Sequence, residues 1–239
     1  MDDWFETLEA SRALPADAAL ELHHRGFIVV PGPVPAGRME QVTEAYDVAM
    51  SAASGADLRI GSTSTRLTDF VNRGIEFDGL YVFPPLLDAC CRVIGRPFKL
   101  SSLQARTLRA HTPAPGLHVD VRPESADWPL LGFILMIDAF RPENGATRFA
   151  PGSHRWSSAT ELPDDVDDQG LACGPAGSLI IFNGSALHGH GANLSDEPRR
   201  SLQGAFIPRE GQAATDFAAR MQPETRLQLS ALARYVLAA

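Results

Sequence analysis

Lysine, cysteine and long apolar segments are scarce in this sequence, and each shortage excludes a class of function. Lys99 is the only lysine, so Schiff-base chemistry would depend on one residue without a supporting motif. The three cysteines, of which Cys90 and Cys91 are adjacent, make neither a disulfide framework nor a zinc-binding pattern. We therefore expect reduced, structural thiols and a function that uses other residue types.

Neither a membrane-crossing segment nor a secretory signal is evident. Apolar runs such as Phe133–Ile137 and Leu179–Phe182 are far shorter than the roughly 20 residues that a helix needs to cross a bilayer. The N-terminal segment Met1–Glu6 is acidic and lacks the apolar region of a signal peptide. We expect a cytoplasmic protein without a membrane partner.

Positive charge is also in deficit, with a formal net charge of −8 and a pI of about 5.3. Such a chain has no global basic field that would attract nucleic acid. Its 239 residues, 44% of them hydrophobic and 21% charged, are sufficient for one folded catalytic domain. We expect a small-molecule substrate and no nucleic-acid partner, and the oligomeric state stays open.

The pattern of apolar and polar residues divides the chain into three regions. Residues 1–95 predict a helical N-terminal cover that contains one strand at 26–30, and residues 51–66, rich in small and polar residues, predict a surface loop. Residues 96–208 consist of short apolar or alternating runs separated by Pro and Gly, whereas residues 212–239 return to a helical pattern. The predicted fold class is mainly β with flanking α-helices, built around an antiparallel barrel or jelly roll.

The predicted strands of the central region are defined by these runs. They are Lys99–Leu108, Leu130–Phe140, Ala146–Ala150, Ser178–Phe182 and Ser201–Ile207.

His118 and Asp120 are two residues apart, a spacing that places both side chains on the same face of a strand. An imidazole and a carboxylate on one face need one further histidine to complete a facial metal triad, which leaves coordination positions open for other molecules. His188 and His190 are the candidates for that third ligand. The pair alone is a weak signal, but it follows a Pro/Gly turn and the second cluster follows a buried strand, as ligands at a barrel mouth would.

Three motifs in order resemble the phytanoyl-CoA dioxygenase family. The segment Glu143–His154, ENGATRFAPGSH, resembles the family's ENG…PGSH signature, and Leu187–Asn193, LHGHGAN, resembles its distal histidine motif together with the PRRSL sequence at Pro198–Leu202. His118-Val119-Asp120 supplies the third motif, and the similarity covers most of residues 20–208.

This resemblance implies a double-stranded β-helix, or cupin-like jelly roll, that uses Fe(II), 2-oxoglutarate and O2. It assigns the third metal ligand to His188 and gives Arg199 the far carboxylate of 2-oxoglutarate, a role that suits a planar guanidinium. Alternation along the strand would direct Arg199, Ser201 and Gln203 inward and Arg200 to the opposite face.

Several further residues carry expectations of their own. His190 replaces the small hydroxyl residue of many relatives, so it contacts the cosubstrate, substitutes as a ligand or narrows the pocket. Gln104 and Arg106 share a face of a strand that relatives use for cosubstrate or substrate contacts. His154 is expected to hold its turn and not to bind metal.

The predicted reaction is hydroxylation of an unactivated C–H bond of a small molecule, with desaturation or cyclisation as alternatives. Halogenation is disfavoured because Asp120 retains the ligand carboxylate. A zinc hydrolase and a non-catalytic cupin-like binding protein are the alternatives from other classes. The segments 62–73 and 122–128 are expected to touch substrate, and their Arg66, Arg73 and Arg122 suggest an anionic group on it.

Overall fold

The fold is that of a computed structural model, which describes residues 4–156, 162–163 and 166–239. The first three residues of the acidic N-terminus lie outside the described residues. None of the helices described is both long enough and apolar enough to cross a membrane.

The helices lie at both ends of the chain, and short 3-10 turns occur between them. The α-helices of the described residues are α1 (Trp4–Ser11), α2 (Ala16–Arg25), α3 (Met39–Ser51), α4 (Asp78–Tyr81), α5 (Pro84–Ile94), α6 (Phe217–Arg220), α7 (Pro223–Gln228) and α8 (Ala231–Leu237).

The strands pair antiparallel in two sheets. They are β1 (Phe27–Pro31), β2 (Leu58–Ile60), β3 (Ser64–Leu67), β4 (Phe98–Leu108), β5 (Leu131–Met136), β6 (Thr147–Phe149), β7 (Gly170–Ala172), β8 (Ser178–Asn183), β9 (His188–His190) and β10 (Arg199–Pro208). The large sheet has the order β1-β8-β5-β10-β4-β3-β2, and the small sheet has the order β7-β6-β9. Two antiparallel sheets with flanking helices confirm the predicted fold class.

Both faces of the large sheet are buried, and this explains why its central strands are apolar at every position. Leu179 and Ile181 of β8 pack into the core beneath the helices. Ile180 and Phe182, which point the other way, pack against the small sheet. A strand covered on both faces needs apolar residues at successive positions, as the sequence of β8 provides.

The predicted boundary at residue 95 does not separate helices from strands. β1 pairs with β8 at one edge of the large sheet, and β3 pairs with β4 towards the other edge. The prediction of a surface loop over residues 51–66 was therefore wrong, since β2 and most of β3 lie there. Both strands are short; β3 forms by pairing with β4 and β2 forms by pairing with β3, and the local sequence does not indicate these pairings.

Gly132 of β5 allows a close contact that positions an aromatic ring. Gly132 is directly opposite Phe182 on the neighbouring strand β8. The ring of Phe182 occupies the space where a side chain at position 132 would lie. The same ring lies 4.7 Å from that of His188, centroid to centroid, so the glycine supports the packing around a candidate metal ligand.

We expect Gly132→Ala to lower the free energy of unfolding by about 1–3 kcal/mol, because the added methyl group overlaps the buried ring of Phe182. Urea unfolding of both proteins measures the difference. Gly37→Ala is the matched control, since no heavy atom lies within 4 Å of a Cβ added there, and its effect should stay within about 0.5 kcal/mol. Equal destabilisation by the two substitutions would contradict the role of the close contact.

Candidate metal and cosubstrate site

Two candidate ligands are joined by reciprocal backbone hydrogen bonds. The N–H of His118 donates to the carbonyl of His188, and the N–H of His188 donates to the carbonyl of His118, both at 2.8 Å. His118 lies in the segment between β4 and β5, and His188 is the first residue of β9. The pairing brings the two rings to a centroid distance of 4.6 Å.

Asp120 lies in a bend and not in a regular strand, which differs from the expected strand geometry. Its N–H donates to the carbonyl of Gly184 at 2.9 Å, and this bond holds the carboxylate beside the two rings. The Oδ1 atom of Asp120 lies 3.9 Å from Nε2 of His118 and 3.8 Å from Nε2 of His188. One ligand atom from each of the three residues lies within 4.8 Å of the others.

The tautomer of His188 suits metal binding. Its Nδ1 lies 2.8 Å from the carbonyl oxygen of Ala186, which can only accept, so Nδ1 carries the hydrogen. The lone pair of Nε2 is then free for a metal, and the hydrogen bond at Nδ1 fixes the orientation of the ring. Phe149 stacks on the ring at 5.5 Å. Burial, followed by the neighbouring His188, holds the pKa of His118 below its usual value, which favours the neutral form that binds metal.

The PGSH turn attaches to the end of helix α2. The N–H of Gly152 donates to the carbonyl of Arg25 at 2.9 Å, and Nε2 of His154 lies 3.2 Å from the carbonyl of His23. These bonds satisfy carbonyls that have no partner within the helix. Gly26 ends the helix with φ of 82°, and any side chain there would overlap the ring of His154. His154 thus holds its turn and is not part of the cluster of candidate ligands.

The same turn positions the strand that carries His188. The hydroxyl of Ser153 accepts a hydrogen bond from the N–H of Leu187 at 2.8 Å, and the N–H of Ala150 donates to the carbonyl of Leu187 at 2.9 Å. Leu187 is the residue before His188. The turn therefore connects helix α2 to the candidate metal site through backbone bonds.

Arg199 is buried, and none of the acidic residues that the structure describes forms a salt bridge with it. The residue is 1% exposed, and its Nε and Nη1 atoms have no hydrogen-bond partner. Its guanidinium lies 3.8 Å from the ring centroid of Phe140. Burial, and then the positive charge of Arg106, lower the pKa of Arg199 to about 9. An unpaired buried guanidinium is costly, and it suits a site that binds a carboxylate.

Arg200 points the other way, as the alternation predicts. It binds Asp138 and Asp47, each at 2.7 Å, and these partners raise its pKa. Leu202, two residues on, lies in the core beneath the helices. Adjacent arginines thus have different environments: Arg200 forms salt bridges with two carboxylates, whereas Arg199 forms none with the described residues.

Gln104, Arg106 and His190 line the same cavity of about 260 Å³ as the three candidate ligands and Arg199. His190 is buried, and its Nδ1 lies 2.8 Å from the carbonyl of Gly191. Burial, with the charges of Arg106 and Arg199, lowers the pKa of His190 to about 4. The neutral ring presents Nε2 as a hydrogen-bond acceptor, and His190 is not part of the cluster of candidate ligands.

The structure separates the three arginines that were expected near substrate. Arg66 lines the cavity. Arg73 instead binds Asp57 at 3.1 Å, and Arg122 lines a different, much smaller cavity. Thr147, the cross-strand partner of His190, also lines the main cavity, although sequence reasoning gave it no role beyond its motif.

The residues present fit iron and 2-oxoglutarate. Two imidazoles and one carboxylate that leave adjacent positions open are the donor set of mononuclear non-haem iron oxygenases. The unpaired guanidinium of Arg199 in the same cavity suits the free carboxylate of a dicarboxylic acid. Fold and site together define the class of iron- and 2-oxoglutarate-dependent oxygenases.

The family comparison narrows this class. The sequence model "Phytanoyl-CoA dioxygenase (PhyH)" matches residues 22–201, which is most of the chain. The chain belongs to the phytanoyl-CoA dioxygenase family, and the resemblance drawn from its three motifs is confirmed. The expected Fe(II), 2-oxoglutarate and O2 are the cofactor and cosubstrates of this family.

Related proteins from Talaromyces and Penicillium are named dioxygenases. Dioxygenase cdmA of Talaromyces verruculosus is 38% identical over 73 residues, which are 30% of this chain and 25% of cdmA. The matched part thus spans a quarter of that relative. Dioxygenase olcK of Penicillium canescens is 25% identical over 222 residues, which cover 82% of this chain and 73% of olcK.

Solved structures share the fold. HygX from Streptomyces hygroscopicus, with nickel and 2-oxoglutarate bound, superposes with a TM-score of 0.68 at 16% identity and covers 84% of this chain and 90% of HygX. The 2-oxoglutarate-dependent carbocyclase SnoK of nogalamycin biosynthesis gives a TM-score of 0.69 at 15% identity, with 89% and 93% covered. At these identities the likeness shows the jelly-roll fold.

Proposed function

We propose that this chain is a single-domain, cytoplasmic Fe(II)- and 2-oxoglutarate-dependent oxygenase that hydroxylates an unactivated C–H bond of a small molecule. The observation that carries the proposal is the convergence of His118, Asp120 and His188 in one cavity with the unpaired Arg199. The triad alone suits several metals, whereas a buried guanidinium without a carboxylate needs an anionic ligand.

His118, Asp120 and His188 hold the iron in this assignment. The Nδ1–H of His188 stays on the carbonyl of Ala186, so that Nε2 faces the metal. Bound iron and 2-oxoglutarate supply the oxidising chemistry, in which O2 is consumed, 2-oxoglutarate becomes succinate and CO2, and one oxygen atom goes to the substrate. The protein's part is to hold the reacting carbon beside the metal and to limit access of water.

Arg199 binds the far carboxylate of 2-oxoglutarate. Its contact with the ring of Phe140 fixes the plane of the guanidinium, and burial strengthens a charge-assisted hydrogen bond made there. Gln104, Arg106 and His190 line the same cavity and are the further candidates for contacts there, His190 to the cosubstrate and Gln104 and Arg106 to the cosubstrate or the substrate. The neutral His190 accepts a hydrogen bond there without adding charge.

Hydroxylation is favoured over epimerisation by the cavity lining. Epimerisation requires the return of a hydrogen atom to the substrate from the opposite face, for which the O–H of a tyrosine or the S–H of a cysteine would be a suitable protein donor. The described residues that line the cavity include no tyrosine and no cysteine that would do so. Desaturation and cyclisation stay alternatives that product analysis distinguishes.

Two alternatives from other classes account for fewer of these observations. A zinc hydrolase would use the same triad but would leave Arg199 without a ligand. A non-catalytic binding protein of this fold would tolerate loss of a metal ligand, yet all three are present. Turnover of 2-oxoglutarate to succinate separates both from an oxygenase.

We expect His118→Ala, Asp120→Ala and His188→Ala each to weaken Fe(II) binding by well over about tenfold, since each removes one of three protein ligands. Anaerobic equilibrium dialysis measures the bound iron. His190→Ala is the matched control, because His190 lies on the same strand and lines the same cavity outside the ligand cluster. Retention of iron by His188→Ala with loss from His190→Ala would reverse the assignment.

We expect Arg199→Ala to weaken 2-oxoglutarate binding by about thirtyfold or more, because a buried charge left unpaired costs about 2–5 kcal/mol. The visible charge-transfer band of the anaerobic Fe(II) complex reports the dissociation constant. Arg200→Ala removes an arginine that points away from the cavity, and it should change this dissociation constant little. Equal effects at the two positions would contradict the inward assignment of Arg199.

The reaction outcome is tested with 18O2 once a substrate is found by screening for perturbation of the same band. We expect a hydroxylated product that carries one 18O atom, with formation of succinate. Bromide added to the reaction should not be incorporated, since Asp120 occupies the coordination position that a halide would need. A brominated product, or a desaturated or cyclised product without 18O, contradicts the proposed outcome.

A further inference from the structure

Three arginines lie side by side across neighbouring strands. Arg59 of β2 is directly opposite Arg66 of β3, and Arg66 is directly opposite Arg106 of β4. Residues that face each other across paired strands project from the same face of the sheet. The arginine row, defined as Arg59, Arg66 and Arg106, therefore places three positive side chains next to one another.

The arginine row has no acid in direct contact within the described part of the chain, and the charge of Asp120 offsets that of Arg106 only in part. In the described part of the chain, none of its members makes a salt bridge, whereas Arg73, Arg92 and Arg200 each do. Like charges directly opposite each other destabilise a sheet. Repulsion between the like charges is screened less at Arg106 than at the exposed Arg66, because Arg106 is partly buried. The Nε atom of Arg106 is buried without a hydrogen-bond partner among the described residues. Burial, and then the charge of Arg66, lower the pKa of Arg106 to about 10.

The charge of the cavity is still positive when the proposed cofactor and cosubstrate are counted. Asp120 is the only carboxylate among the described lining residues, against Arg66, Arg106 and Arg199. An iron dication, the 2-oxoglutarate dianion, Asp120 and Arg199 together carry no net charge. The positive charges of Arg66 and Arg106 are left over, so the cavity has capacity for a further anion.

The two remaining arginines lie at different depths. Arg106 is partly buried, whereas Arg66 is exposed, and both line the cavity that contains the candidate metal ligands. Two guanidinium groups on adjacent strands can bind one carboxylate or phosphate through several hydrogen bonds. Such a group, bound there, would lie beside the metal site and anchor the rest of its molecule in the cavity.

We propose that the substrate carries a carboxylate or phosphate group that Arg66 and Arg106 bind at the mouth of the cavity. The inference rests on the proposed function, because it assigns Arg199 to 2-oxoglutarate and leaves these two arginines for the substrate. In this inference Arg106 binds the substrate and does not bind the cosubstrate. The inference also gives a function to the adjacent like charges of Arg66 and Arg106, which otherwise repel each other across the strand pair.

The test is calorimetric titration of the anaerobic Fe(II)·2-oxoglutarate complex with three probes at low ionic strength. Phenylacetate supplies a carboxylate, phenyl phosphate supplies a phosphate, and 2-phenylethanol is the neutral probe. We expect at least one of the anions to bind about tenfold or more tightly than the alcohol, and added salt to weaken that binding. Comparison of the two anions shows which group the two arginines bind more tightly.

Arg66→Gln and Arg106→Gln should each weaken binding of the anionic probe by about tenfold and leave binding of the alcohol unchanged. Arg38→Gln is the charge-matched control, since Arg38 lies in the 3-10 turn Ala36–Arg38 and does not line this cavity. Without an anion, the thermal midpoints of the Arg66 and Arg106 variants should be equal to or higher than that of the wild type, because repulsion is removed.

Three results would overturn the inference. In the first, the anions bind no more tightly than the alcohol. In the second, Arg38→Gln weakens binding of the anions as much as Arg106→Gln does. In the third, Arg106→Gln weakens binding of 2-oxoglutarate and leaves binding of the probes unchanged, which would assign Arg106 to the cosubstrate. Failure of the proposed function is distinct, because the charge-transfer band of Fe(II) and 2-oxoglutarate would then not form in the wild-type protein.

Discussion

The backbone pairing of His118 with His188 is the contact on which the site depends. The segment that carries His118 and Asp120 has no regular strand of its own, so its position is set by hydrogen bonds to β9 and to Gly184. β9 in turn is held by β6, where Phe149 is opposite His188. Buried backbone groups must find partners, and here the partners that they find also bring the two imidazoles together. The pairing of β9 with β6 thus helps to position the candidate metal ligands.

The sequence predicts much of this site because its key residues lie where local periodicity is informative. β10 is a regular strand, so a period of two correctly separates Arg199, which lines the cavity, from Arg200, which binds acids on the outer face. The motif around His154 similarly predicts a turn, and the structure adds what the turn does, namely to join helix α2 to the residue before His188. The roles of these residues toward metal and cosubstrate stay predictions.

Other features follow from tertiary pairing, which one sequence does not display. Nothing local to the polar residues 58–67 indicates that they add two strands to the large sheet beyond β4. Sequence reasoning could not choose among Arg66, Arg73 and Arg122, because only the register of β3 on β4 brings Arg66 to the cavity and opposite Arg106. A shift of one residue in that register would turn the side chain of Arg66 to the other face of the sheet, away from the cavity.

The global charge and the charge of the cavity have opposite signs, and distance decides which one a ligand meets. The chain has a net charge of −8, which argues against polyanionic partners that contact a large surface. At physiological salt, however, charges farther than about 8 Å are largely screened, so a small anion at the cavity responds mainly to the side chains that line it. The burial of the arginines among those side chains increases from the exposed Arg66 through the partly buried Arg106 to the buried Arg199. The effective dielectric constant falls in the same direction. We therefore expect a small dicarboxylate to bind most strongly at the buried end, although the protein as a whole is acidic.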